Sequence, residues 1–436
     1  MTRPLPQPVH VYRVGGSVRD ELLGRSVSDR DWVVVGATPE IMLASGFLPV
    51  GKDFPVFLHP ETRDEYALAR TERKHGRGYR GFRFFATPEV TLEEDLRRRD
   101  LTINAMARAP DGRLIDPYGG EADLHAGILR HVSPAFAEDP LRVLRVARFA
   151  ARFDFRVADE TLALMRYIVA ARELETLAPE RVWQELSRGL CEARPSRMLG
   201  ALRACGALVE LLPEIERLYS IRVSDAHAQD HNAGAFTERA LDWSAIQGSP
   251  LPARYAVLTQ ELDRSDDAGG RQFDTRAGAG RVEAVSKRLR VPLDCRDAAR
   301  LAARWHRVIA DVEALAPAAL LDLLLATDAL RRPDRLDMLA VATAAHVAAR
   351  DAPGERAVAP VAEPAERRRT AFLHEALAVV RRVDAASIAR DAIARASRRD
   401  GSSTGAPPGD AIATALREAR LAALRAWKGR KKSARA

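Results

Sequence analysis

The hydrophobic pattern of the chain changes once, near residue 133, and this change limits the folds that it can adopt. Before residue 133, short runs of β-branched and aromatic residues at 9–14, 32–35 and 82–85 are bounded by Gly and Pro and alternate with short helical segments. After it, apolar residues recur at three- and four-residue spacing. In the first part, Thr38 before Pro39 predicts a helix N-cap, and Thr91 and Glu94 have the spacing of a capping box. The sequence therefore predicts an α+β unit followed by an all-helical body.

The helical body is interrupted by recognisable helix ends and polar stretches. Periodic stretches bounded by Pro, Gly or Asp predict helices at 140–153, 159–178, 179–193, 196–212 and 314–330. Stretches rich in Gly, Pro, Ser and charge predict loops or disordered linkers at 263–280, 352–366 and 396–409. At roughly 150 residues per domain, the 436 residues predict about three domains.

The composition predicts a basic globular protein. Its 68 Lys and Arg exceed its 60 Asp and Glu by 8, which favours a polyanionic partner, nucleic acid first and an anionic membrane surface second. Three cysteines without a CxxC pair argue for the cytoplasm and against a cysteine zinc site. Residues 1–10 lack the apolar region of a signal peptide, and 314–330 is too short for a membrane span.

A predicted strand runs directly into two glycines and a helix at 14–20, VGGSVRD. Glycines at such a turn let backbone N–H groups approach an anion, and a helix N-terminus favours negative charge. Arg19 adds a guanidinium group to the same place. Any tight strand-to-helix connection also needs glycine, so this motif is only suggestive, and the lack of G-x-G-x-x-G argues against a nicotinamide-dependent oxidoreductase.

Two aspartates, Asp29 and Asp31, follow about ten residues after this turn. On a strand, residues two apart share a face, and two carboxylates on one rigid edge can hold a pair of Mg²⁺ ions for in-line nucleotidyl transfer. The spacing is common by chance, so it is the position after the turn that favours this interpretation. Glu65, at the start of another predicted strand, is a candidate third carboxylate, and an exposed strand-edge charge explains it equally well.

An arginine-rich segment at 97–105, RRRDLTINA, places three guanidinium groups beside an apolar stretch. A run of charges on a helix usually forms a solvated face. Here Thr102 and Asn104 favour instead a polar surface suited to a ribose and a triphosphate.

A second arginine-rich segment, EDPLRVLRVARF at 138–149, opens the helical part. Asp139 before a proline predicts a helix N-cap, with the proline at the first helical position. Arg142, Arg145 and Arg148 recur every third residue, so they follow one side of the helix while Val and Leu occupy the other. Capping alone does not require such a stripe.

Together these segments resemble the class II tRNA nucleotidyltransferases, the CCA-adding enzymes of the polymerase-β-like nucleotidyltransferase superfamily. The motifs that carry the resemblance are 14–20, the Asp29/Asp31 pair, 98–105, 138–142 and 181–185 (RVWQE). They cover roughly residues 12–215. Five motifs in this order identify the family far more specifically than any one of them does.

The resemblance implies an α+β nucleotidyltransferase head with a mixed sheet at 1–132, then an all-α neck and body. The neck at 133–215 would select nucleotides and bind RNA. A helical, degenerate HD-like body would occupy 216–350, and a helical tail with disordered linkers would occupy 351–436. The implied reaction is untemplated addition of C, C and A to the tRNA 3′ end from CTP and ATP, with release of pyrophosphate by two-Mg²⁺ in-line transfer.

The resemblance also implies roles for individual residues. Asp29 and Asp31 would hold the catalytic Mg²⁺ ions. The nucleotide-binding residues would be Gly16, Arg19, Arg99, Asp139, Arg142, Arg145 and Arg148. Asp139 and Arg142 match the base-selecting pair. Cytosine and adenine both offer an amino donor beside a ring-nitrogen acceptor, so a carboxylate beside a guanidinium complements these two bases and leaves the others unpaired.

Many bacterial relatives carry an HD-type phosphohydrolase domain after the neck, with His and His-Asp metal ligands. Here a lone Glu261 stands where His-Asp is expected, and Phe236 stands where the earlier His is expected. His227 and His231 form a weaker candidate metal site, for which solvated helix residues are the favoured explanation. The sequence therefore predicts an HD-like scaffold without phosphohydrolase activity.

Two other functions fit the same motifs. A bacterial poly(A) polymerase shares the head and neck motifs, and a non-catalytic RNA-binding protein could keep the fold.

The expected partners are tRNA, CTP and ATP, and the expected cofactor is Mg²⁺. No membrane association and no stable protein partner are expected.

Overall fold

A computed structural model describes residues 5–27, 30–50, 56–74, 82–85, 87–224, 230–264, 275–351, 363–399 and 408–433. The chain forms two compact units. One comprises Met1–Glu216 with Arg288–Arg290, and the other comprises Arg217–Lys287 with Val291–Ala436. The finer division into head, neck, body and tail remains a prediction.

The first unit begins with strands that are short and separated by turns. They are β1 (His10–Val14), β2 (Asp31–Val35), β3 (Leu48–Pro49), β4 (Val56–Leu58), β5 (Glu65–Leu68), β6 (Thr71–Lys74), β7 (Phe82–Phe85), β8 (Ala107–Arg108) and β9 (Leu114–Ile115). Seven of them form a mixed sheet in the order β3-β4-β5-β2-β1-β8-β9. Only β2 and β5 pair in parallel in this sheet, while β6 and β7 form a separate antiparallel ribbon.

Four helices accompany these strands, namely α1 (Gly16–Leu22), α2 (Pro39–Ala44), α3 (Leu92–Arg97) and α4 (Gly120–Ala126). Two of them begin at caps that the sequence predicts. The Thr38 hydroxyl accepts the Ile41 N–H at the start of α2. Thr91 and Glu94 form a reciprocal capping box at the start of α3.

Strand β2 supplies both apolar faces of the sheet because successive side chains point to opposite sides. Val33 packs with Val14 and with Leu96 of α3, and Val34 packs with Met42 of α2 and with Leu68. Burial of each such side chain contributes roughly 1.5–3 kcal/mol. The two faces therefore fix the position of β2, whose first residue is Asp31.

The rest of the first unit is helical apart from a two-residue parallel pair, β10 (Ile128–Leu129) with β11 (Arg156–Val157). Its helices are α5 (Leu141–Phe153), α6 (Asp159–Ala170), α7 (Pro179–Leu190), α8 (Pro195–Ala204), α9 (Ala207–Leu211) and α10 (Pro213–Glu216). Two predicted helices are each broken. The stretch 159–178 breaks at Arg172, with φ of 57°, and 196–212 breaks at Gly206, with φ of 81°.

The second unit consists mainly of helices. They are α11 (Ala233–Ile246), α12 (Leu251–Thr259), α13 (Thr275–Arg288), α14 (Leu293–Ala310), α15 (Pro317–Ala326), α16 (Asp334–Asp351), α17 (Glu363–Arg381), α18 (Ala385–Arg399) and α19 (Pro408–Ser433). A short antiparallel ribbon of β12 (Arg222–Ser224) and β13 (Asp230–Asn232) precedes them. The described part of the chain after residue 133 is therefore helical as predicted, except for this ribbon and the two residues of β11.

The predicted linkers are shorter than their composition indicates. Asp263 and Arg264, at the start of the first stretch, are buried, and α13 already begins at Thr275. In the other two stretches, α17 begins at Glu363, and α18 continues to Arg399. Their central residues lie outside the described part of the chain. No helix within the described residues is long and apolar enough to cross a membrane.

Candidate active site

The turn between β1 and α1 requires glycine at position 15. Gly15 has φ of 68°, and a Cβ atom there would lie 2.7 Å from Nη1 of Arg99. Its N–H donates to the carbonyl of Met106, and the Ser17 hydroxyl donates to the carbonyl of Val14. The turn therefore lets the Arg99 guanidinium lie directly against the start of α1.

A cavity of about 530 Å³ opens beside this turn. Its charged lining consists of eight arginines and three aspartates, namely Arg19, Arg98, Arg99, Arg142, Arg145, Arg148, Arg152, Arg181, Asp31, Asp100 and Asp139. Every predicted nucleotide-binding residue lines it. Glu65 is not among its lining residues, and Asp29 lies outside the described part of the chain. The excess of positive charge suits an anionic ligand.

Arg19 is 4% exposed, and its guanidinium group is held on several sides. Its Nε donates to Asp20 at 2.9 Å, and Nη1 donates to the Asn104 side chain. The group also lies over the rings of Phe149 and Phe153, at 5.4 and 4.9 Å from their centroids. Burial lowers the pKa of Arg19, and the charge of Asp20 opposes this effect.

Asp100 connects the strand-rich part of the unit to helix α5. Its Oδ1 accepts from the Leu101 N–H and the Asn104 amide, both at 2.9 Å, and its Oδ2 accepts from Nε of Arg145 at 2.8 Å. Burial acts to raise the pKa of Asp100, but the charge of Arg145 and the bond from Asn104 outweigh it and hold the pKa well below its usual value. The carboxylate is therefore ionised, and it raises the pKa of Arg145.

Helix α5 begins one residue later than predicted. Pro140 is its N-cap and Leu141 its first residue. The Asp139 carboxylate still serves this end, because its Oδ1 accepts the Leu141 N–H at 3.0 Å. Its Oδ2 lies 3.6 Å from Nη2 of Arg181 on α7. One oxygen therefore caps the helix while the other points to a different partner.

Arg142 is held by backbone carbonyls. Its Nη1 donates to the carbonyl of Ala135 at 2.8 Å, and its Nη2 donates to the carbonyl of Arg98 at 2.6 Å. A guanidinium group has five N–H donors in a fixed plane, so these two bonds set its orientation and leave further donor positions. Arg142 thus joins the start of α5 to the segment after α3.

The next arginines along α5 surround one aromatic ring. Arg145 and Arg148 lie 5.7 and 4.5 Å from the centroid of Phe149, which Arg19 also contacts. Arg148 in addition donates to Glu185 of α7 at 2.7 Å. The ring and the acidic partners together allow several like charges to lie close to each other.

Two arginines at the end of α3 are positioned by a buried acid. Asp95 is 0% exposed and accepts from Arg98 at 2.9 Å and from Arg99 at 3.3 Å. Arg97, in contrast, is exposed. Thr102 donates to Asp123 at 2.7 Å inside the protein and does not line the cavity, so its predicted place in a ligand surface is wrong.

Asp31, which lines the cavity, has an acidic neighbour on the adjacent strand. Asp31 lies directly opposite Glu65 in the parallel pairing of β2 with β5, and both residues are exposed. Opposed residues on neighbouring strands direct their side chains to the same face of a sheet. This pair offers the oxygen donors that a hard divalent cation prefers.

Several lining residues were not predicted as site residues. Asp100 and Arg181 lie within the motifs at 98–105 and 181–185, but they pair with partners distant in sequence, so these motifs assigned them no role. Arg152, which donates to Asp20 at 3.0 Å, extends the arginine stripe of α5 by one turn, and this periodicity could have identified it. Phe149 lies within the same stripe.

The candidate metal ligands of the second unit lie in different places. His227 lies outside the described residues, and His231 falls in β13. The sequence context presents Glu261 as a lone acid. In the structure, however, His306 and His346 lie beside it in a buried group. Their separation along the chain hides this group from any local pattern.

Two parts of the first unit match families of known proteins. A family described as "Poly A polymerase head domain" matches residues 11–130. One described as "Probable RNA and SrmB- binding site of polymerase A" matches residues 154–218.

Curated relatives match nearly the whole chain. A multifunctional CCA protein of Aromatoleum aromaticum is 51% identical over 423 residues, which cover 96% of this chain and 98% of the relative. One of Methylobacillus flagellatus is 49% identical over 427 residues, covering 96% of this chain and 97% of the relative.

Among solved structures, the Bacillus stearothermophilus CCA-adding enzyme in complex with CTP has a TM-score of 0.65. It is 22% identical, and the match covers 98% of this chain and 94% of that one. A CCA-adding enzyme with ATP has a TM-score of 0.58 at 22% identity, over 94% and 86% of the two chains. These likenesses confirm the predicted α+β nucleotidyltransferase fold.

Proposed function

The chain belongs to the multifunctional CCA protein family and is a CCA-adding tRNA nucleotidyltransferase, and we propose that the cavity beside α1 is where it adds C, C and A to the tRNA 3′ end. CTP and ATP are the proposed nucleotides and Mg²⁺ the proposed metal. The observation that carries the proposal is that the predicted nucleotide-binding residues, from three separate segments, all line this one cavity.

The triphosphate would lie at the turn between β1 and α1. Backbone N–H groups at Gly16, together with Arg19 and Arg99, present positive charge there. Arg19 cannot move freely, because Asp20 and Asn104 hold it. The free-energy penalty for burying and orienting the Arg19 guanidinium arises during folding. Little further ordering of this side chain is therefore needed when a nucleotide binds.

Base selection is assigned to Asp139 and Arg142. The structure supports this role, because backbone groups orient both side chains, and the second Asp139 oxygen faces Arg181 in the lining of the cavity. One Asp139 oxygen is occupied by the Leu141 N–H, and two backbone carbonyls orient Arg142. A carboxylate acceptor beside a guanidinium donor matches the amino group and ring nitrogen of cytosine or adenine. Uracil and guanine would leave both groups unpaired, which is expensive in a desolvated site.

Asp31 and Glu65, with the predicted contribution of Asp29, are the proposed metal-binding carboxylates. The β2–β5 register supports this role, since it places Asp31 and Glu65 side by side with Asp31 lining the cavity. When bound there, Mg²⁺ would lower the pKa of the tRNA 3′-hydroxyl and stabilise the pyrophosphate leaving group. The carboxylates fix the place of that chemistry on a strand whose two faces are buried.

The activity can be tested with one substrate and its sequenced product. Purified protein is incubated with tRNA that lacks its 3′ end, with Mg²⁺ and CTP, and then with ATP. We expect growth by two C and one A. A run of A on non-tRNA substrates with ATP alone would identify a poly(A) polymerase, whose name the head family bears. Binding without any extension would identify a non-catalytic RNA-binding protein.

For the second unit we propose an HD-like helical scaffold that lacks phosphohydrolase activity, and for the whole protein a cytoplasmic location. Glu261 replaces the expected His-Asp pair and Phe236 replaces the earlier His. Hydrolysis of a phosphomonoester or of 2′,3′-cyclic AMP, stimulated by Ni²⁺ or Mg²⁺ and absent from a mock purification, would contradict the first proposal.

A further inference from the structure

A group of charged and imidazole side chains is buried in the second unit. Glu261 and Asp263 follow helix α12, and both are 0% exposed. His306 lies on α14 and His346 on α16, at 1% and 6% exposed. Arg307, the neighbour of His306, has a side chain that is 23% exposed. So many buried charges are stable only if they compensate each other.

Three of these residues have the geometry of a metal site. A carboxylate oxygen of Glu261 and one nitrogen of each histidine lie within 4.8 Å of one another. Glu261 Oε1 is 2.7 Å from Nδ1 of His346 and 3.6 Å from Nε2 of His306. Two imidazoles and a carboxylate form a donor set that suits Zn²⁺ or Ni²⁺.

His306 is oriented as a metal ligand would be. Its Nδ1 lies 2.7 Å from the carbonyl of Ala302, which can only accept, so Nδ1 carries the proton. Its Nε2 lone pair therefore points toward the carboxylate of Glu261, and this atom has no hydrogen-bond partner although it is buried. The orientation alone would favour a cation between the two groups.

The cationic charge is already supplied by arginine. Arg307 donates to Glu261 Oε2 at 2.8 Å and to Asp263 at 3.1 Å, and Arg264 makes an ion pair with the same oxygen of Glu261. Two guanidinium groups thus balance two carboxylates. A divalent ion would add two positive charges to a site that is already neutral and largely closed to water.

We propose that the Arg307 guanidinium takes the place of a metal ion in this site, so that the chain binds no divalent metal there. Removal of its charge would convert Glu261, His306 and His346 into a metal site. The proposal does not depend on the nucleotidyl transfer reaction. It would give the proposed absence of phosphohydrolase activity a physical cause beyond the missing His-Asp pair, because a side chain would fill the position of a metal ion.

The test compares metal binding in four full-length proteins. They are the wild type, Glu261→Gln, Arg307→Met, and the double variant Arg307→Met/Glu261→Gln. Arg307→Met leaves the carboxylates of Glu261 and Asp263 opposite Arg264 alone, so the site gains a net negative charge that a divalent ion can compensate. In the double variant the site is neutral again. Each protein is dialysed against Ni²⁺ or Zn²⁺, and bound metal is counted per chain. Metal at the carboxylates of the head is common to all four and cancels in the differences.

We expect the wild type and Glu261→Gln to bind equal amounts of metal. We expect Arg307→Met to bind one equivalent more than Arg307→Met/Glu261→Gln, and its thermal unfolding midpoint to rise with added Ni²⁺ or Zn²⁺ while that of the wild type does not. With Co²⁺, Arg307→Met should show the visible absorption of a low-symmetry site that contains nitrogen ligands.

Two results would overturn the proposal. One is an extra equivalent of metal in the wild type relative to Glu261→Gln, which would mean that the site holds metal despite Arg307. The other is an Arg307→Met protein that binds no more metal than Arg307→Met/Glu261→Gln, or that fails to fold even when metal is present, because a metal ion should replace the lost positive charge.

Discussion

The substitution Asp100→Asn tests whether one buried carboxylate organises the nucleotide cavity. Asparagine has nearly the same shape, so its oxygen can still accept from Leu101 and Asn104. Its amide group, however, would face the guanidinium of Arg145, donor against donor. The variant therefore removes one interaction, the ion pair that joins the segment after α3 to helix α5.

The size of the effect follows from the geometry of this pair. Arg145 donates to Asp100 Oδ2 from Nε at 2.8 Å and from Nη2 at 2.7 Å. Hydrogen bonds to charged groups contribute about 1.5–3 kcal/mol each, and solvent screens part of this because the Arg145 side chain is 34% exposed. We expect a loss of about 2–3 kcal/mol in the free energy of unfolding. We also expect the KM for CTP to rise roughly tenfold, or about 1.4 kcal/mol, because Arg145 is no longer held at the cavity.

The assay is a double-mutant cycle in urea unfolding, with Asp100→Asn, Arg145→Met and the combined variant. A coupling of at least about 1 kcal/mol is expected. In parallel, KM and kcat for CTP are measured on tRNA that lacks its 3′ end. Destabilisations that add to within about 0.5 kcal/mol would refute the ion pair as the source of the effect.

The same carboxylate predicts a dependence of stability on pH. The pKa of Asp100 in the folded protein lies below the ordinary value of 3.8, so its stabilising contribution is complete above that value and is lost as pH falls toward the folded-state pKa. The difference in unfolding free energy between the wild type and Asp100→Asn should therefore shrink below about pH 4. A difference that stays constant down to pH 2.5 would contradict this linkage.

Three further predictions concern the cavity. Phe149→Leu removes three guanidinium–ring contacts, each contributing roughly 0.5–1 kcal/mol, so the KM for CTP should rise about tenfold with kcat little changed. The control is Phe153→Leu, which should change KM less because Phe153 does not line the cavity. Equal effects of the two substitutions would contradict the role of the Phe149 ring. Arg142→Ala should lower incorporation of C and A relative to U and G in a competition among all four triphosphates, and unchanged discrimination would remove Arg142 from base selection. Glu65→Gln should raise the Mg²⁺ concentration needed for half-maximal activity, and an unchanged Mg²⁺ dependence would show that this carboxylate holds no metal.

Local sequence rules predicted the elements whose ends depend on nearby residues. The Thr38 cap and the Thr91–Glu94 capping box both lie where the spacing places them. Phe82–Phe85 forms a strand with the predicted bounds. Such features depend on interactions across three or four residues, which a linear pattern records directly.

Features set by distant contacts could not be predicted in this way. Asp100 and Arg145 are 45 residues apart, and Glu261 and His346 are 85 apart. Thr102 was wrongly assigned to a ligand surface because its hydroxyl is used inside the protein by Asp123. Side chains of the same type can serve a ligand or the core, and only tertiary packing decides between them.

One cavity, with one set of metal-binding carboxylates, is proposed to add both nucleotides. The most direct test measures C and A addition separately for Asp31→Ala and Asp29→Ala, with CTP on tRNA lacking its whole 3′ end and with ATP on tRNA ending in CC. Thermal unfolding of each variant serves as the control for folding. We expect both additions to be lost together while the folded state and tRNA binding are retained. Near-normal addition of either nucleotide by either variant would contradict the account.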